Sequence, residues 1–289
     1  MPSRREVLCG GAGSRGPGTT LAGLDEAITR LAGAASAGQA YRPPTSRERD
    51  AALAAVDDLV GGDVTPGLAA RFDELGFDTG VDVDPASGRR YRLAVSRTGT
   101  ARAWGAVAVD ADGGRRVLIE VPHLRSDLYT EDLGLALFRA VPGASLLVAG
   151  AHRRAGRGRA DVAHHADSLV HAIAGRLGDR GRPEVQLHGF DDAGLPDVDA
   201  VISPGAGPVN PLAEDIARAL GDAGFTVRTA WNGDDCGSLE GRTNVQGRAA
   251  AAAKRPFVHV ELSPRLRDRD RRRADTVRAL TRALLGRSA

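Results

Sequence analysis

Aromatic residues make up only 4% of this 289-residue chain. That scarcity argues against a base-stacking platform and against a carbohydrate-stacking cleft. There are two cysteines, Cys9 and Cys236, too few for a disulfide framework or a cysteine-rich zinc module. A single bridge between them stays open. No apolar run approaches the roughly 18–20 residues that span a bilayer, so no membrane span is expected. Charge of one sign is also lacking. The 39 basic and 37 acidic residues leave +2, so no strong global field selects nucleic acid. Lysine is nearly absent, with Lys254 alone among 38 arginines, which we read as genome composition rather than function.

What is present is an ordinary globular composition, 42% hydrophobic and 26% charged. A chain of this length can bury a large core without staples. Residues 1–20, rich in Gly, Ser and Arg, read as a flexible tail. Within them Ser3-Arg4-Arg5-Glu6-Val7-Leu8 resembles the start of a twin-arginine export signal. The apolar region that such a signal needs is replaced by a Gly-rich stretch carrying Arg15. Cytoplasmic localisation is expected, with export through a degenerate signal as the alternative.

Residues 21–88 read as an N-terminal helical cap. Leu21, Leu24, Ile28 and Leu31 have helical spacing. Ser46 offers a cap to a second helix, and Thr65-Pro66 opens a third. Residues 89–289 read as an α/β domain. Strands are predicted at 91–95, 101–110, 116–121, 145–149, 185–187, 200–202, 225–229 and 257–262, with Asp110–Gly114 as a hairpin turn. Helices are predicted at 130–140, 166–177, 211–223, 243–252 and 271–285. Apolar strands interleaved with amphipathic helices predict an α/β three-layer sandwich around a mixed, mostly parallel sheet. Gly10–Gly13 and Ser203–Gly207 lack the spacing of a nucleotide-binding loop.

In such sheets ligands bind beyond the carboxyl ends of the strands. His123, His152 and His188 each follow a predicted strand, and Glu261 lies within the last one. His123, Asp127 and His188 have the make-up of a catalytic zinc site, three N/O ligands with one position left open. Glu261, costly inside an apolar strand, is the candidate acid/base. Each residue also has a plain reading. A histidine can close a loop, Asp127 or Glu131 can sit at a helix N-terminus, and Glu261 can pair with Arg265.

Gln186-Leu187-His188-Gly189-Phe190 resembles the His-Gly element of zinc-dependent phage poly-γ-glutamate hydrolases. Phe257 to Arg267, with Glu261-Leu262-Ser263 and Leu266-Arg267, resembles their C-terminal strand, and N-formylglutamate amidohydrolases have a similar one. Asn244 is similar to the asparagine element before that strand. Asp161-Val162-Ala163-His164 with Ser168 is a shorter match. The resemblance spans about residues 115–287. It implies a carboxypeptidase-like phosphorylase/hydrolase fold, with zinc on His123, Asp127 and His188 and Glu261 as acid/base. The first element departs from the family's His-Gly-Gly-Gly-then-Glu, reading His123-Leu124-Arg125-Ser126-Asp127, which leaves Glu131 in reserve as second ligand.

The expected function is therefore zinc-dependent hydrolysis of an amide bond next to a carboxylate. The substrate is expected to be a carboxylate-bearing small molecule or peptide, held by Arg153, Arg242 and Asn244. The rival is a non-catalytic binding or cell-surface protein that keeps the fold without the metal.

Overall fold

The computed structural model describes residues 23–286 except Gly194. The tail, the twin-arginine segment, Cys9 and Gly10–Gly13 lie outside them.

Helices begin where the sequence supplies caps. α1 spans Leu24–Ala34, and α2 spans Ser46–Gly61. Thr45, rather than Ser46, is the cap of α2. Its hydroxyl accepts from the Glu48 N–H, and the Glu48 carboxylate accepts from the Thr45 N–H. Thr65 caps α3 (Pro66–Glu74), with proline in the first turn where its missing N–H costs nothing.

Then come β1 (Phe77–Val83), β2 (Arg90–Ser96), β3 (Ala106–Asp110), β4 (Val117–Val121), α4 (Thr130–Ala140) and β5 (Ala144–Val148). The chain continues through α5 (Leu169–Gly178), β6 (Glu184–Gly189), β7 (Ala200–Ser203), α6 (Pro211–Asp222) and β8 (Val227–Thr229). It closes with α7 (Val245–Ala252), β9 (Phe257–Leu262), α8 (Pro264–Arg267) and α9 (Asp270–Leu285).

The nine strands of the described residues form one sheet, ordered β1-β2-β3-β5-β4-β6-β9-β7-β8. Only its centre, β5-β4-β6-β9, is continuously parallel. β1, β2 and β3 extend it antiparallel, and β7 joins β9 antiparallel. The sheet is thus mixed but not mostly parallel, since antiparallel ladders hold more than half of the paired residues.

The predicted hairpin at Asp110–Gly114 is also corrected, because β5 lies between β3 and β4. Asp110 accepts from the N–H groups of Asp112, Gly113 and Gly143. The turn therefore closes on the start of β5. A Cβ on Gly113 would meet the Gly143 nitrogen at 2.4 Å.

Strand alternation sends Val117, Ile119 and Val121 into a core shared with α1, α4, α6 and α9. Leu118 and Leu147 face a second core with α2, α3 and α5. The segment read as a cap therefore belongs to the sandwich. α1 packs in one layer, α2 and α3 pack in the other, and β1 is an edge strand.

From β4 the chain turns one way to β5 and then crosses back to β6 on the other side. The β4/β6 boundary is thus a topological switch point, where a crevice opens beyond the strand ends.

Candidate metal centre

That crevice holds the residues singled out from the sequence. A cleft of about 570 Å³ is lined by His123, Asp127, Arg153, His188, His259 and Glu261, with the 237–244 loop forming one wall. No lining residue comes from residues 23–88.

His123 follows β4, and Asp127 lies one turn later. The Ser126 and Asp127 N–H groups both bond the His123 carbonyl, a tight loop in which Arg125 adopts φ 61°. His188, the last residue but one of β6, pairs in register with Glu261 on β9, so the two side chains share a face of the sheet. His123, Asp127, His188 and Glu261 are all buried.

Three ligand atoms converge. His123 Nδ1 is 3.0 Å from Asp127 Oδ2, and His188 Nδ1 is 3.2 Å from both of them. Tetrahedral zinc with bonds of roughly 2.0 Å needs ligand atoms roughly 3.3 Å apart, so this triangle has nearly the right edge. Asp127 Oδ2 also accepts from the Gly189 N–H. Glu131, the reserve ligand, is buried in the first turn of α4 and is not in this group.

The groups behind the ligands fix them. His123 Nε2 lies 3.0 Å from Asp161 Oδ1, and Asp161 Oδ2 is gripped by Nε and Nη2 of Arg153. His164 Nδ1 lies 3.0 Å from the same Asp161 Oδ1. His188 Nε2 lies 2.7 Å from Gln186 Oε1. Two further His/Asp/Glu groups overlap the first, His123–Asp161–His164 and His188–His259–Glu261.

Ionisation follows from burial and neighbours. Burial drives the His188 pKa down to about 4, which favours the neutral imidazole a metal requires. Burial likewise opposes charge on His123, but Asp127 and Asp161 outweigh it and raise its pKa. Burial also resists ionisation of Asp127, yet His123 holds its carboxyl well below the usual range. Burial, helped by the negative Asp127, lifts Glu261 to about 8. Glu261 Oε2 is buried with no hydrogen-bond partner among the described residues. Its suggested partner Arg265 reaches Asp199 instead.

The three expected substrate residues fare differently. Arg153 lines the cleft with its side chain one-third exposed. Arg242 is a rim residue paired with Glu240. Asn244 is buried and committed. Its Oδ1 accepts from the Gln246 and Gly247 N–H groups as the cap of α7, and its Nδ2 donates to Gln186.

Reading from the sequence missed Gln186, Glu120 and His259 as parts of this polar cluster. The signal was there, since Glu184, Gln186 and His188 alternate along β6, as His259 and Glu261 do along β9.

No family model matches the chain, and no curated protein matches it. Among solved structures it is similar to a bacteriophage poly-γ-glutamate hydrolase, at 16% identity over 62% of this chain and 87% of the other, with a TM-score of 0.42. A gene product from Agrobacterium tumefaciens gives 16% identity over 62% and 93%, with a TM-score of 0.46. A succinylglutamate desuccinylase from Silicibacter sp. gives 12% identity over 73% and 70%, with a TM-score of 0.45. The first is of the kind the His188 and Glu261 motifs resemble. Likeness of this depth is one of chain path and assigns neither activity nor ligand.

Proposed function

We propose that the chain is a zinc-dependent hydrolase of an amide bond next to a carboxylate, in a glutamyl, N-acyl amino acid or peptide substrate. The observation that carries this reading is the buried triangle of His123 Nδ1, His188 Nδ1 and Asp127 Oδ2 at the floor of a cleft. Two imidazoles and one carboxylate are the donor set of an open, catalytic zinc site. When bound, zinc would supply Lewis acidity toward the scissile carbonyl and toward water.

The remaining work belongs to the chain. Glu261 lies beside His188 and has an oxygen with no hydrogen-bond partner among the described residues. It is placed to take a proton from the attacking water and return it to the leaving amine. Burial and the negative Asp127 raise its pKa in the metal-free site, and a bound cation would act in the opposite direction and favour the ionised base. Arg153 lines the cleft and holds Asp161 through Nε and Nη2, while its Nη1 lies against His123, so it meets a substrate carboxylate only by releasing that last contact. Arg242 offers a second cation at the rim.

One observation favours the rival, metal-free reading. Arg153 Nη1 lies 3.3 Å from His123 Nδ1, so a cationic side chain already approaches the triangle. A hydrolysis screen over N-acyl amino acids, γ-glutamyl chains and short peptides, with and without added zinc, separates the two. Zinc-dependent turnover of a carboxylate-bearing amide supports the hydrolase. Stoichiometric zinc without turnover of any class sinks the substrate assignment.

A further inference from the structure

The orientation of every amide near His188 can be deduced from one fixed point. Backbone N–H groups are unambiguous donors, and those of Gln246 and Gly247 point at one atom of the Asn244 side chain, at 3.0 and 3.1 Å. That atom must be the carbonyl oxygen. The other, Nδ2, is therefore the group that meets Gln186, and as a donor it requires the Gln186 oxygen there. Gln186 Nε2 is then turned to Glu120, 3.0 Å from its Oε2. His188 Nε2, 2.7 Å from the same Gln186 oxygen, faces an acceptor and must carry the ring proton. Nδ1 of His188, the atom in the triangle, also faces the Asp127 carboxylate, but burial disfavours a doubly protonated ring, so with the proton on Nε2 the lone pair falls on Nδ1. Asn244, Gln186, Glu120 and His188 are all buried, which makes these protein partners the ones that set the ring's protonation.

We infer that Asn244 and Gln186 are positioning residues that together lock His188 in the Nε2–H tautomer, so that the cap of α7 sets the state of a ligand at the cleft floor. The consequence for metal binding rests on the zinc reading above, whereas the tautomer does not. Neither residue needs to touch substrate for this role, since the Asn244 oxygen caps α7 and its Nδ2 donates to Gln186.

Asn244→Asp tests the lock. Aspartate keeps an acceptor for the Gln246 and Gly247 N–H groups but sets its second oxygen against Gln186 Oε1. Gln186 then turns over, with Glu120 taking up a proton to donate to its oxygen; its N–H faces His188 Nε2, and the ring proton moves to Nδ1. Two readouts follow: the His188 tautomer in metal-free, 15N-labelled protein by two-bond ring correlations, and the zinc dissociation constant by chelator competition. The parent should show Nε2–H. Asn244→Asp should show Nδ1–H and bind zinc roughly 10–100-fold more weakly, the range for lost partners behind a metal ligand.

The double variant Glu120→Gln/Gln186→Glu keeps an acceptor facing Asn244 and His188 and a donor between positions 120 and 186. It should retain the parent's tautomer and affinity. A parent with Nδ1–H overturns the inference without any variant. So does Asn244→Asp with the parent's tautomer and affinity, or a folded double variant with the proton on Nδ1. A parent that shows Nε2–H but binds no zinc upholds the tautomer lock and sinks the zinc reading instead.

Discussion

β6 and β9 have two faces of opposite character. On one, Val185, Leu187, Val258, Val260 and Leu262 pack into the larger apolar core. On the other, Glu184, Gln186 and His188 lie beside His259 and Glu261, all buried. The same ten or so residues thus supply a dry packing surface and a polar lining. Burying apolar side chains stabilises the fold wherever shape permits. Burying a carboxylate or an imidazole costs free energy unless partners or a bound cation compensate. The difference separates positions that hold the fold from positions that the fold must hold.

The largest expected effect lies on the polar face. Glu261→Gln is nearly isosteric, and Glu261 makes no ion pair with an arginine among the described residues, Arg265 being engaged with Asp199. It should leave the thermal midpoint and zinc content near the parent's. Turnover should fall by roughly 10²–10⁴-fold, the usual loss for a general acid–base. A variant with full turnover would remove Glu261 from the chemistry.

Leu187→Ala, one residue from His188 on the opposite face, should do the reverse. Leu187 is fully buried, so the cavity should cost about 2–5 kcal/mol in chemical denaturation. Zinc affinity of the folded fraction should not change. Equal damage to both properties would mean that the two faces are not separable.

A pH-dependent effect concerns Glu184, the buried acid at the start of β6. Burial, reinforced by negative Glu120, raises the pKa of Glu184, with Arg255 at 2.8 Å opposing. The folded state therefore binds this proton more tightly than the unfolded chain does. The resulting stability is fully present below the ordinary carboxylate range and is lost as pH rises through the folded value. Glu184→Gln cannot lose it, so its midpoint should gain on the parent's between pH 5 and pH 8. The gain should be about 1.4 kcal/mol for each unit of displacement within that window. A constant difference across the range would show that Glu184 ionises normally.

The sequence made part of this legible. Apolar runs such as Val117–Val121 and Phe257–Leu262 and cap signals such as Thr65-Pro66 located most elements. Histidines beyond strands marked the cleft. β1 was missed because Phe77–Val83 carries two aspartates and a glycine and is largely solvent-facing. The insertion of β5 between β3 and β4 is a pairing choice, and local turn chemistry at Asp110–Gly114 says nothing about it. Asn244 was read as a substrate residue through its likeness to an asparagine element of the hydrolases. Only the fold shows its amide committed to α7 and Gln186. The polar lining was written in the alternation of Glu184, Gln186 and His188, but apolar neighbours masked it.

Metal binding tests the central claim most directly. Purified protein should be stripped with a chelator, dialysed and titrated with zinc by calorimetry, beside His188→Ala. The predicted result is one zinc per chain in the parent, with binding lost or weakened by orders of magnitude in His188→Ala while the fold survives. A folded parent that takes up no zinc, or a His188→Ala variant that binds it as the parent does, would contradict the assignment of the triangle as a metal centre.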